Sequence, residues 1–432
     1  MQPGARLQAA IDVLTEIMAR GRAASVVLAD WGKAHRFAGS GDRAWIGNLV
    51  FDSLRRKQSL SYVMRSETAR AIALAALRRD WNVSLQDIAS FCSGEGFCPA
   101  RLTPEEESGL AHSDLADAPP WIQGDYPEWL HPSFSEVFGD RAVAEGQALA
   151  ARAPVDLRVN TLKATRGKVL KAFARHDAAA TPYSPIGVRL PPREDGARSP
   201  NVEADPAHGR GWFEVQDEGS QIATLLAGAG PRMQVADLCA GAGGKTLAMA
   251  AQMQNTGQIY AYDSDAFRFR PIFDRLKRAG ARNVQTLPPG EDAALDALEG
   301  RMDLVLIDAP CSGTGVWRRR PDAKWRLTST QLGERVVTQA ALLMRADRLL
   351  KPGGTLAYIT CSILPDENDK QIKAFLEHNP SFSAIDVRQH ATKVLSRSVT
   401  CSANHNKLGL LLTPARHGTD GFYMALLIKS AV

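Results

Sequence analysis

Apolar positions make the first division of the chain. Leu7, Ile11, Leu14 and Met18 recur at the spacing of one helix face, and Ala10 and Ile17 widen the stripe. The pattern predicts an amphipathic helix over residues 5–20. In DRAWIGNLVFDSLRR, Ile46, Leu49, Val50 and Leu54 share a face, and SETARAIALAALRRDW is rich in the strong helix formers alanine and leucine. In LTPEEESGLA, Thr103 can cap a helix, Pro104 suits its first position and Glu106 closes a capping box. Residues 1–150 are expected to form one all-helical domain.

The texture changes near Ala153-Pro154. VDLRVNTL reads as a short strand, and a polar stretch rich in Pro, Gly and Arg between Pro182 and Gly211 reads as a long loop, which makes 151–212 a small α+β linking subdomain. From 213 to 432 strand and helix alternate. The strands are QVADLC, QIYAYD, NVQTL, DLVLID and TLAYIT, with GFYMALLIK as a last strand at the far side. The alternation predicts an α/β, doubly wound sheet that takes its ligands at the carboxyl ends of the strands.

Length and charge refine this outline. At 432 residues the chain exceeds the usual size of a single core. No apolar run is long enough to span a bilayer, and MQPGARLQAAIDVL lacks a signal-peptide pattern, so a cytoplasmic protein with no membrane partner is expected. The net charge of +5 permits a nucleic-acid partner without requiring one. Six cysteines scattered over this length are unlike a disulfide framework. Cys92 and Cys98 have no second cysteine or histidine pair at finger-like spacing, so no metal site is expected.

The chemistry gathers at strand ends. After QVADL come Cys239, Ala240, Gly241, Ala242, Gly243, Gly244 and Lys245, opening a helix. Glycines let a ligand approach the backbone, and a helix start offers unpaired N–H groups. A P-loop would need glycine where Cys239 stands, and a dinucleotide fingerprint would need it at Thr246. Both patterns fail. Asp263 ends the next strand, where a carboxylate can take both ribose hydroxyls; its alternative is a helix cap, a role Asp265 fits equally well. A glycine loop after one strand and an acid after the next favour an adenosine-containing cofactor.

DLVLID ends in Asp308-Ala309-Pro310-Cys311-Ser312-Gly313, and TLAYIT runs into Cys361-Ser362. If these strands are neighbours, about 4.8 Å apart, both thiols face one crevice. One thiol can add to carbon-6 of a cytosine and so activate carbon-5, and Asp308 can read the exocyclic amine and ring nitrogen. A lone cysteine at a strand end more often packs as a small hydrophobe, and Cys239 and Cys401 are read that way. Downstream, GVWRRRPDAKWRL places Arg318, Arg319, Arg320, Lys324 and Arg326 beside Trp317 and Trp325, a composition suited to single-stranded RNA, with a solvated charge run as the alternative for any one of them.

DAPCSGTG with YITCS, preceded by LRVNTLK and VADLCAGAGGKT and followed by DGFYMALLIK, resembles the RsmB/NOP/Sun family of RNA cytosine-5 methyltransferases from about Asp156 to the end. The helical part, with DRAWIGNLVFDSLRR, resembles the NusB-like RNA-binding domain of the bacterial ribosomal RNA branch. The resemblance implies a Rossmann-like class I methyltransferase sheet over 213–432, an RRM-like subdomain over 151–212, S-adenosyl-L-methionine as cofactor and small-subunit ribosomal RNA as partner of a monomer. It makes Cys361 the attacking and Cys311 the releasing thiol, with Asp308 and Lys245 at the target base. Cofactor contacts are implied for Cys239 through Lys245, Asp263 and Asp308. Arg158, Asn160, Arg318, Arg319, Arg320 and Lys324 form the expected RNA-binding set. Transfer RNA as substrate, and a non-catalytic assembly factor, are the alternatives. Two departures stand out: Gly241-Ala242 replaces the usual Ala-Pro, and either Glu291 or Asp292 takes the place of the family's Gly-Asp acid.

Overall fold

A computed structural model of the chain describes residues 1–111, 114–192, 200–403 and 408–431. Part of the expected 182–211 loop, residues 193–199, lies outside the described residues. The helical expectation for the first part of the chain is met among the described residues, from Pro3–Arg20 to Ala142–Ala150. The predicted capping box forms: Glu106 N donates to Thr103 Oγ1 (3.2 Å) and Thr103 N to Glu106 Oε2 (3.1 Å).

Two cores divide these helices in a way their texture does not reveal. Leu7, Leu14, Ile46, Leu49, Ile72 and Leu77 join one core built from the helices up to residue 111. Tyr126, Phe134, Phe138 and Leu149 are buried instead in the core of the carboxyl-terminal sheet, with Trp317, Tyr358 and Tyr423. A helical period reports that a face is buried, not what buries it.

Two sheets follow. Strands β1 (Val155–Val159), β2 (Ala179–Ala180), β3 (Gly187–Leu190) and β4 (Phe213–Val215) form an antiparallel sheet in the order β2-β3-β1-β4. The larger sheet contains β5 (Gln234–Asp237), β6 (Gln258–Ala261), β7 (Val284–Thr286), β8 (Met302–Asp308), β9 (Leu350–Thr360), β10 (Phe382–Ala384), β11 (Leu410–Leu412) and β12 (Phe422–Lys429). Its order is β10-β12-β9-β8-β5-β6-β7, with β11 on β12; β5 to β9 are parallel, and β12 runs antiparallel beside β9. The chain order reverses direction between β5 and β8, which is the switch point where such sheets open a ligand crevice. GFYMALLIK therefore lies one strand in from the edge, with β10 outside it. Among the described residues no helix is long and apolar enough to cross a membrane.

Candidate active site

The glycine loop begins where β5 ends. Gly243 takes φ +84° as N-cap of helix Gly244–Gln252, and a Cβ there would stand 2.6 Å from Ile272, so only glycine fits. Gly241 is also left-handed, and its N–H donates to Asp263 Oδ2 (2.8 Å). Asp263 Oδ1 accepts from Asp265 N (2.9 Å). The helix after β6 is capped by Asp265, which accepts from Phe267 N and Arg268 N at 2.9 and 3.1 Å. Asp263 is thus buried at the loop without being spent on a cap. A Cβ on Gly241 would lie 3.7 Å from Arg268 Nη2 and 3.8 Å from Asp263 Oδ2, and Arg268 Nη2 stands 3.9 Å from the same carboxylate oxygen. Left-handed glycines after β5 beside a buried acid after β6 fit an adenosine cofactor. Asp292 is held by Tyr262 OH and Arg345, both at 2.7 Å, while Glu291 is exposed.

Strands β8 and β9 are parallel neighbours, as the thiol argument required. Cys311 Sγ and Cys361 Sγ lie 3.4 Å apart. The Cys311 thiol is pushed well above its ordinary pKa, first by its hydrogen bond to Cys361 and then by burial. Either sulfur can donate to the other across this contact. Lys245 Nζ meets Asp308 Oδ2 at 2.6 Å, so these two side chains converge from the loop helix and the end of β8. Burial also pushes the Cys239 thiol up, consistent with packing. Cys401 Sγ accepts from Leu411 N (3.3 Å), a structural contact.

Most of the expected RNA-binding residues point inward, and this corrects their reading as phosphate ligands. Arg318 is buried between Asp217 and Asp420, and Arg319 reaches both carboxylates and Pro154 O. Lys324 donates to Arg55 O (2.8 Å) and Asp125 O (2.5 Å), and burial lowers its pKa to about 7. Trp325 Nε1 donates to Leu54 O (2.6 Å) and Trp317 is fully buried. Arg326 turns back to Asp322 (2.9 Å). The run is the seam joining the first helices to the sheet, because charges with internal partners avoid the cost of unpaired burial. Arg158 bridges Gln216 and Gly244 O, each at 2.5 Å, and Asn160 donates to Gly211 O and Ala279 O at 2.9 and 2.8 Å. Arg320 alone of the six is exposed. Arg318→Ala is expected to cost about 3–5 kcal/mol of stability, by leaving two buried carboxylates short of a partner. Urea denaturation checks this; an unchanged midpoint with weakened RNA binding would restore the phosphate role.

Glu367 and Asn368 drew no attention in the sequence. Glu367 accepts from Ser312 N (2.8 Å) and Ser312 Oγ (2.5 Å), and Asn368 contacts Thr360 Oγ1 (2.6 Å) and Ser362 O (2.9 Å). The only local hint was Pro365-Asp366-Glu367-Asn368, which begins three residues after the TCS motif and reads as an ordinary helix start.

A doubly wound sheet with a glycine loop after one strand, a buried acid after the next and polar groups converging at the switch point defines a Rossmann-like class I methyltransferase. Residues 224–428 match the family described as 16S rRNA methyltransferase RsmB/F, and residues 126–193 match its ferredoxin-like domain. A protein of Synechocystis described as a probable ribosomal RNA small subunit methyltransferase B is 31% identical over 76% of this chain and 72% of its own length. Ribosomal RNA small subunit methyltransferase B of Sodalis glossinidius is 35% identical over 77% of this chain and 69% of its own. The crystal structure of PH0851 shares the fold, at 24% identity and a TM-score of 0.74 over 99% of both chains. The chain belongs to the RsmB/F family of S-adenosylmethionine-dependent ribosomal RNA methyltransferases.

Proposed function

We propose that the enzyme methylates carbon-5 of a cytosine in small-subunit ribosomal RNA through a covalent bond between Cys361 and carbon-6. The observation that carries this reading is the 3.4 Å approach of the two sulfurs beside the Lys245–Asp308 pair. A single thiol at a strand end has a packing explanation; two meeting at the carboxyl ends of β8 and β9, three residues after an acid that can read a base, do not. The names of the relatives support the small ribosomal subunit as the source of the RNA. The helices before residue 112 are the surface offered to the rest of that RNA.

Carbon-5 of cytosine is too electron-poor to accept a methyl group unaided. Cys361 adds to carbon-6, and the carbon-5–carbon-6 π pair moves onto carbon-5. Asp308 accepts a hydrogen bond from the exocyclic amine, and Lys245 Nζ, 2.6 Å from that carboxylate, holds it in place. S-adenosylmethionine, when bound, supplies an electrophilic methyl group. Asp263 and the backbone of Cys239 through Gly244 hold the cofactor.

Consumption of Cys361 in the carbon-6 bond removes the hydrogen bond that chiefly raised the Cys311 pKa. Cys311, having given its own proton to solvent, then acts as base. It takes the proton from carbon-5, the freed pair restores the double bond, and the carbon–sulfur bond to Cys361 breaks. The target base must be unstacked to reach the crevice, so a loop or incompletely assembled RNA is favoured over a duplex.

Bisulfite sequencing of small-subunit ribosomal RNA from cells with and without the gene tests the proposal. One cytosine is expected to lose its protection in the deletion; an identical map in both strains overturns it. Asp263→Ala is expected to weaken S-adenosylmethionine binding about 10- to 100-fold by calorimetry, the value of losing a charged hydrogen-bond acceptor. Unchanged affinity would confine Asp263 to bracing Gly241 and Asp265.

A further inference from the structure

Two adjacent residues, Glu367 and Asn368, lie buried behind the thiols, and each is bonded to the backbone segment that carries a different cysteine. Glu367 takes the amide and hydroxyl of Ser312, the residue after Cys311. Its own position is set by Gln339 Nε2 (3.1 Å), which also donates to Pro310 O (3.0 Å), and by Tyr358 OH, which donates to Glu367 O (2.7 Å). The Pro310–Ser312 turn is thus gripped on both sides of Cys311. Asn368 accepts from Thr360 Oγ1 before Cys361 and donates to Ser362 O after it. A direct tie joins the two segments: Gly315 N donates to Cys361 O at 2.9 Å. Cys311 and Cys361 stand 50 residues apart in the chain.

We infer that Glu367 and Asn368 are positioning residues, a two-residue brace in which Glu367 holds Cys311 and Asn368 holds Cys361 at the separation their exchange of roles requires. The inference rests on the covalent two-cysteine reading. It goes beyond that reading by dividing the brace: loss of Glu367 reproduces the failure of Cys311, and loss of Asn368 reproduces the failure of Cys361. Misplacement of a reacting group by about 1 Å costs about 10²-fold in rate. Neither residue is offered to the RNA, so substrate affinity is left alone.

The test uses the full chain, a transcript of small-subunit ribosomal RNA and methyl-labelled S-adenosylmethionine, with Cys311→Ala run beside the brace variants. Glu367→Ala is expected to lower kcat about 10²-fold with KM for RNA within about threefold, and to accumulate a protein–RNA adduct on a denaturing gel. Glu367→Gln is expected to restore most of the turnover, since its amide oxygen still accepts from Ser312 N and its NH2 can donate to Ser312 Oγ. Asn368→Ala is expected to lose turnover to a similar extent with no adduct. If Glu367→Ala fails to fold by thermal melting, Ser312→Ala, which removes one of the Glu367 contacts, is read in its place for the same adduct. Adduct in Cys311→Ala but none in Glu367→Ala or Ser312→Ala overturns the brace and leaves the cysteine reading standing. Equal loss without adduct in both brace positions does the same. Absence of adduct in Cys311→Ala itself overturns the reading and the brace together.

Discussion

Cys361→Ala is expected to abolish methyl transfer, lowering the single-turnover rate by at least about 10⁴-fold, the scale seen when a covalent nucleophile is removed. The chemistry gives no bypass, because nothing else activates carbon-5. Lys245 and Asp308 can still bind the base, and the glycine loop and Asp263 are untouched, so affinities for RNA and cofactor are expected to remain near those of the parent enzyme. The measurement is transfer of a labelled methyl group to transcribed small-subunit RNA, with calorimetry as control. Activity within tenfold of the parent would remove the covalent step from the mechanism.

Cys311→Ala is expected to fail at the opposite end of the reaction. Cys361 remains able to add to carbon-6, but the carbon-5 proton has lost its acceptor, so turnover falls by about 10²- to 10⁴-fold, the usual contribution of a positioned base. The enzyme is expected to accumulate as a covalent RNA adduct, visible as a retarded band on a denaturing gel and absent from the Cys361→Ala, Cys311→Ala double variant. The ground for this assignment is the TCS context of Cys361 read with the family resemblance, beside the 3.4 Å contact of the two sulfurs. The hydrogen bond to Cys361 and then burial raise the Cys311 pKa, and the first of these is lost once Cys361 has reacted. An adduct in Cys361→Ala and none in Cys311→Ala would exchange the two roles.

The readings that proved legible in the sequence are those that depend on near neighbours. The helix over Pro3–Arg20, the Thr103–Glu106 capping box and the strands ending at Asp237, Asp308 and Thr360 all follow from spacing over a few residues. Even the meeting of the thiols was accessible, because doubly wound sheets have few strand orders and one of them makes β8 and β9 neighbours. The basic run after Cys311 was misread for the complementary reason. Arg318 and Arg319 look alike in sequence whether they face phosphate, water or a carboxylate, and their carboxylates, Asp217 and Asp420, are about a hundred residues away on either side.

The crevice sharpens the same distinction. From the sequence alone came the glycine loop, the acid at Asp263, both cysteines and Asp308, since each is announced by residue type at the end of a recognisable strand. Only the tertiary structure decided that Asp265 rather than Asp263 caps the following helix, that Arg158 and Asn160 bind the fold's own carbonyls, and that Glu367 and Asn368 grip the two thiol-bearing turns. Periodicity and turn chemistry are properties of contiguous residues, whereas hydrogen-bond partners and buried charge pairs form between segments that meet only after the chain has folded.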